Sequence, residues 1–237
     1  MNQPSALLVA HGYPSQPAPP EAVMQRLGAA VGAHLPGWQL RGATLAAPGA
    51  LEQALQGLDA PLIYPFFMAE GWFTKTVLPQ RLAQAGGAGL RQLPAFGSDP
   101  GLGALIAGQV QAACAAQGWR LQESALLLAA HGSQRARASA LGAQAMAAQL
   151  AQLLALRDIR CGFVEEAPFL ADAARGMGQA LCLPFFALAA SHVLEDIPTA
   201  MAEAGFAGPI LPPIGAAPAV PALIAAALLR GGIAPAP

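Results

Sequence analysis

The sequence predicts an α/β protein built of two tandem doubly wound lobes, each a parallel sheet covered by helices on both faces, with a site in the cleft between them. Three observations carry this. Short apolar segments alternate with helix-length Ala/Leu-rich segments, the pattern of a parallel sheet wrapped on both sides. The chain also repeats itself: LPAFGSDPGLGALIA from Leu93 returns as LPPIGAAPAVPALIA from Leu211, VAHG ending at Gly12 returns as AAHG ending at Gly132, and Pro65-Phe-Phe67 returns as Pro184-Phe-Phe186. The step between copies is about 120 residues, which marks a duplicated half-chain unit. Finally, 55% apolar and 11% charged residues over 237 positions can fill a real core.

In chain order the first half reads as strands near Ala6 to Ala10, Gln39 to Leu45, Leu62 to Phe67 and Leu90 to Pro94. The second half reads as strands near Ala125 to Ala130, Ile159 to Val164, Ala180 to Phe186 and a weak one near Ile210. Helices fill the gaps, for example Ala136 to Ala155, whose apolar residues are too continuous for a clean stripe, so composition decides there rather than periodicity. The joint is expected at Gly118 to Ser124, where QGWRLQES breaks the apolar texture, giving lobes of 1–118 and 119–237. GGIAPAP at the C-terminus reads as a frayed tail.

Mean hydropathy of +0.46 invites a membrane reading, but no run of 18 apolar residues escapes interruption by a polar residue or Pro. The start, MNQP, has no basic cluster ahead of an apolar segment, which points to a cytoplasmic protein. Cys114, Cys161 and Cys182 are odd in number and widely spaced, which favours reduced thiols. Net charge is −1 and the arginines are scattered, so nucleic acid and anionic membranes are poor partners. A monomer or homodimer acting on a small molecule remains. No Gly-x-Ser-x-Gly, Gly-x-Gly-x-x-Gly or Gly-Lys-Ser/Thr loop occurs, which argues against hydrolase and nucleotide chemistry.

Ligands of doubly wound sheets bind beyond the carboxyl ends of the strands. His11, His131 and His192 all follow predicted strands there. In the second half His131, Glu165 and His192 end three neighbouring strands, and strands about 4.8 Å apart let such side chains converge. A lone strand-end histidine is more often a hydrogen-bonded loop residue; three ligand types on consecutive strand ends shift the balance towards a metal. Two imidazoles and a carboxylate suit Co, Fe, Ni or Zn and leave positions open for exchange. Glu166 competes with Glu165 for the carboxylate role, with Glu165 favoured. The first half has Phe73 where the second has His192, and Leu45 is taken as the counterpart of Glu165, so one half keeps the ligand set.

Lys75, the sole lysine, reads either as a solvated helix-start residue or as a cation for substrate carboxylates. Gln134, Arg135 and Arg137 follow His131 and can serve the same end, the Arg forks matching carboxylates. Trp72 and Phe73 read as packing or as a wall for a flat aromatic ligand. Glu195 and Asp196 read as a helix-start feature or as support for His192.

The segments LLLAAHGS ending at Ser133, FVEEAP ending at Pro168 and LPFFALAASHVLEDIP ending at Pro198 together resemble the sirohydrochlorin cobaltochelatases and ferrochelatases, class II tetrapyrrole chelatases of cobalamin and siroheme synthesis. The resemblance covers the second half well and the first as a degraded copy. It implies two Rossmann-like lobes with the macrocycle in the cleft, and the metal held by His131, Glu165 and His192. The implied reaction is nucleotide-independent insertion of a divalent metal, Co2+ ahead of Fe2+ or Ni2+, into sirohydrochlorin. The same three residues would be catalytic, and Ser133, Gln134, Arg135, Arg137, Lys75 and His11 would contact the ring. A carrier that binds ring or metal without turnover is the competing reading.

Overall fold

A computed structural model describes residues 3–133, 138–189 and 192–232. The chain forms two compact units, but not as contiguous halves: Met1–Asp99 joins Pro218–Pro237 in one, and Pro100–Ala217 makes the other. The joint expected at residues 118–124 divides neither unit. The reason is an exchange of equivalent helices: Leu102–Ala116 (α4) packs within the second unit, and Val220–Gly232 (α8) packs within the first.

In the first unit, β1 (Ser5–Ala10), β2 (Gln39–Thr44) and β3 (Leu62–Pro65) form a parallel sheet of order β2-β1-β3. Every residue of β1 is buried, as expected of a central strand covered on both faces. Leu7 and Val9 face a core completed by Leu51 and Ala54 of α2 (Ala50–Leu55) and Leu78 and Leu82 of α3 (Leu78–Gln84). The helices α1 (Ala18–Ala33) and α8 pack on each other, and also on β2 and β3 respectively. Close approach of α1 to β2 depends on Gly42, where a Cβ would lie 1.9 Å from the carbonyl oxygen of Met24.

The second unit repeats the plan. Its parallel sheet, β5-β4-β6, uses β4 (Ala125–Ala130), β5 (Asp158–Phe163) and β6 (Ala180–Pro184). The core on one face joins Leu127 and Ala129 to Leu170, Ala173 and Ala174 of α6 (Leu170–Ala174) and to Ile197 and Met201 of α7 (Ile197–Glu203). The helix α4 packs against α5 (Ala138–Leu153) and β6. Among the described residues no helix is long and apolar enough to cross a membrane.

The fourth strand expected in each half shrinks to a single bridge, Gln92 to Ile63 and Ile210 to Cys182. The ladder starts, with Leu93 N–H on the Ile63 carbonyl at 2.8 Å and Leu211 N–H on that of Cys182 at 2.8 Å. It then stops because the next donor positions, Pro65 and Pro184, have no N–H; one step further the Ala95 N–H goes to Glu70 Oε1 at 2.9 Å, and Pro213 has none either.

Candidate metal centre

The central strand of each unit delivers one histidine. His11 and His131 are the first residues beyond β1 and β4, and each is followed by a glycine in the left-handed region, Gly12 at φ 73° and Gly132 at φ 70°. A Cβ at either glycine would come within 2.8 Å of Thr44 or Phe163 in the neighbouring strand. The His-Gly pair is therefore dictated by both backbone conformation and space. In each case the ring is tied back, its Nδ1 lying 2.7 Å from the Gly12 carbonyl oxygen and 2.8 Å from that of Gly132. With the proton on Nδ1, Nε2 carries the free lone pair.

Glu165 is fixed to the same strand end, since its N–H donates to the His131 carbonyl at 3.0 Å. Glu165 Oε2 lies 3.6 Å from His131 Nδ1, beyond hydrogen-bonding reach. Glu166 turns away and accepts the N–H of Ser133 at 2.7 Å, holding the loop that follows His131. The two adjacent glutamates thus do different things. His192 opens a π-helical turn, His192–Asp196, and its ring meets that of His131 edge-on, centroids 4.7 Å apart. Its Nδ1 lies 2.6 Å from Asp196 Oδ2.

One ligand atom each from His131, Glu165 and His192 fall within 4.8 Å of one another, the one such group among the described residues. A tetrahedral ion with bonds of about 2.0–2.2 Å spaces its ligands roughly 3.4 Å apart, so small side-chain shifts close the set. The side chains are 41%, 48% and 30% exposed, which leaves an ion a path in and out.

The first unit carries other side chains at the equivalent positions. The β1–β2 register pairs Ala10 with Thr44 and the β4–β5 register pairs Ala130 with Phe163. Two residues on, Glu165 corresponds to Ala46, whose N–H makes the matching bond to the His11 carbonyl at 2.9 Å. Leu45, taken as the counterpart from sequence, is one residue early; it is buried in the core. Phe73 stands in the place of His192 at the head of the equivalent π-helical turn, Phe73–Val77.

Lys75 lies on that turn, exposed to solvent, and His11 is half-buried against Phe73. Both belong to the first unit, and neither joins the three-residue group. Gln134, Arg135 and Arg137 fall outside the described residues. A groove of about 470 Å³ on the flank of β2, lined by Glu21, Arg41 and Gln53 among others, holds none of these residues. Its arginine is engaged with carbonyl oxygens at the end of α2, including that of Ala54 at 2.9 Å.

A family model described as CbiX matches residues 125–230, the stretch that contains all three candidate ligands. Among solved structures, CbiX, the terminal enzyme for biosynthesis of siroheme in denitrifying bacteria, is 50% identical; the alignment covers 95% of this chain and 98% of that one, with a TM-score of 0.88. The chain belongs to the CbiX family, within the class II chelatases. SirB from Bacillus subtilis with Fe3+ is 15% identical over 98% of this chain and 96% of its own, TM-score 0.76. The sirohydrochlorin chelatase SirB from Bacillus subtilis subspecies spizizenii in complex with cobalt is 16% identical over 97% and 93%, TM-score 0.64. At those identities the two share the CbiX fold with this chain. No curated protein matches it.

Proposed function

We propose that this CbiX-family protein inserts a divalent metal ion into sirohydrochlorin, with Fe2+ as its working substrate and Co2+ accepted by the same ligands. The observation that carries the reading is the convergence of His131, Glu165 and His192 within 4.8 Å at the ends of three strand-linked segments. Fe2+ is put ahead of Co2+ because the 50% identical relative is a siroheme enzyme, and siroheme is the iron complex of sirohydrochlorin. The donor set itself takes either ion, since two imidazoles and a carboxylate do not separate neighbouring metals of the series.

Metal entry expels two pyrrole N–H protons, so the ring must meet a base as it meets the ion. His131 and His192 supply imidazoles, the side chain best suited to proton transfer near neutral pH. As one releases its metal bond, its Nε2 is free to take a proton from the ring. Glu165 offsets positive charge while ion and protons share the site. Partial exposure of all three residues favours handing the metal on rather than keeping it, unlike a closed structural site. The substrate carries eight carboxylates, and Lys75, with Arg135 and Arg137, would meet some of them.

Visible spectra of sirohydrochlorin mixed with Fe2+ under anaerobic conditions, or with Co2+, follow the reaction directly. Substoichiometric protein should accelerate insertion of both ions, and His192→Ala should remove most of the acceleration while leaving the fold intact. Stoichiometric ring binding with no acceleration by either metal identifies a carrier instead.

A further inference from the structure

The two imidazoles of the metal group are not equivalent. His131 Nδ1 faces a neutral backbone carbonyl at 2.8 Å, whereas His192 Nδ1 faces the Asp196 carboxylate at 2.6 Å. Asp196 immediately precedes α7, a position where an aspartate ordinarily caps the first backbone N–H groups of the helix. Here its side chain makes no such bond. Its carboxylate is directed to the imidazole.

The duplicated turn shows that the local fold does not need this aspartate. Phe73–Val77 forms the same π-helical turn in the first unit and leads into a helix that also carries proline in its first turn. There Phe73 replaces His192 and Val77 replaces Asp196. The turn closes equally with valine at that end, so shape alone does not explain the carboxylate. Histidine and aspartate, four residues apart, are present together in one copy and absent together in the other.

We propose that Asp196 is a positioning residue for His192. It accepts the Nδ1 proton, which fixes the tautomer that leaves Nε2 free for the metal, and its charge makes this imidazole the more electron-rich donor of the pair. His131, held by a carbonyl, is the weaker donor and the one that releases the ion first. This rests on the reading of His192 as a ligand.

The test titrates Co2+ into the full-length protein without tetrapyrrole, by calorimetry and by the visible ligand-field bands of the bound ion. Asp196→Ala should weaken binding roughly 10- to 100-fold, the usual range for losing such a support, and should alter the bands. Asp196→Asn keeps a hydrogen-bond acceptor without the charge and should fall between wild type and the alanine variant; being isosteric, it carries the test if alanine disturbs folding. Equal affinity in wild type and both variants overturns the proposal, as does an asparagine variant as weak as the alanine one. His192→Ala in the same titration separates the two readings. If it weakens binding and Asp196→Ala does not, only the positioning role fails; if it too changes nothing, the metal group is wrong.

Discussion

Phe73 meets His11 edge-on, with ring centroids 4.5 Å apart and planes at 80°. His192 meets His131 in the same way, at 4.7 Å and 84°. The first unit thus retains the ring geometry of the candidate metal centre with a hydrocarbon ring in place of one imidazole. Restoring the missing donors through Ala46→Glu, Phe73→His and Val77→Asp should raise Co2+ stoichiometry from one to two ions per chain, measured by calorimetry. Ala46 is the site to change; the same experiment with Leu45→Glu should yield no second ion and a less stable protein, because Leu45 is buried.

Because His11 joins no such ligand group among the described residues, His11→Ala should cost metal insertion less than His131→Ala. A gap of at least tenfold in rate is expected, about 1.4 kcal/mol of barrier. Initial rates of the two variants under identical conditions decide it, and equal losses would mean that both units contribute.

Lys75 is exposed and bonds no carboxylate among the described residues, so it is available to a polyanionic ring. Lys75→Ala should raise KM for sirohydrochlorin with a smaller change in kcat, since such a contact serves ground and transition states alike. The effect should shrink as salt rises, and Co2+ affinity without the ring should stay put. An unchanged KM at low salt removes Lys75 from the substrate contacts.

Burial pushes the Cys161 thiol up from 9.0 to about 11 and the Cys182 thiol to about 12. Both should resist alkylation by iodoacetamide at pH 8 until urea unfolds the chain. The same shifts set an alkaline limit. On the unfolded chain these thiols lose protons near pH 9, while the folded chain holds them, so their stabilising effect is complete below 9 and lost as pH climbs to about 12. Tyr13, raised by burial from 10.0 to about 12, acts in the same direction. Urea midpoints should therefore fall between pH 8 and pH 10.5.

At Gly42 an added methyl would overlap the Met24 carbonyl, backbone against backbone, and α1 would have to move off the sheet. Gly42→Ala should cost about 1–3 kcal/mol, the usual toll of overpacking. A urea midpoint equal to wild type would show that α1 shifts freely.

The central strands were legible as apolar runs, and Ala125 to Ala130 matches the structure residue for residue, whereas the mixed edge strands QLRGAT and DIRCGF were placed by their position between helix-length segments. The convergence of His131, Glu165 and His192 was legible because a parallel sheet sends all its carboxyl ends one way. Other features were not. The last strand of each half stops where Pro65 and Pro184 offer it no N–H; the prolines are readable, but which strand they face is not, and the diversion of the Ala95 N–H to Glu70 is a contact that no local propensity encodes. Ala46 was not legible because the Gly and Ala-Pro shared by residues 42–48 and 162–168 set Leu45 against Glu165, whereas the β1–β2 and β4–β5 registers set the phase one residue later. The different tasks of Glu165 and Glu166 depend on where Ser133 lies, a contact 33 residues away. The His192–Asp196 pair had a usable signal in its four-residue spacing, which puts both side chains on one face of a helical turn.

The placement of α8 in the first unit bears on how the chain is made. Val220, Ile224, Ala225, Ala227 and Leu228 are buried there, yet they are made only after the whole of the second unit, Pro100–Ala217, has been translated. At about 5–20 residues per second, roughly 7 to 27 seconds separate the end of the unit's first segment from the arrival of that helix. Throughout that interval the nascent sheet must keep one flank of β3 uncovered. The unit that begins first is therefore completed only after the second has been made, and a ribosome stalled ahead of α8 leaves an apolar scar on residues made long before.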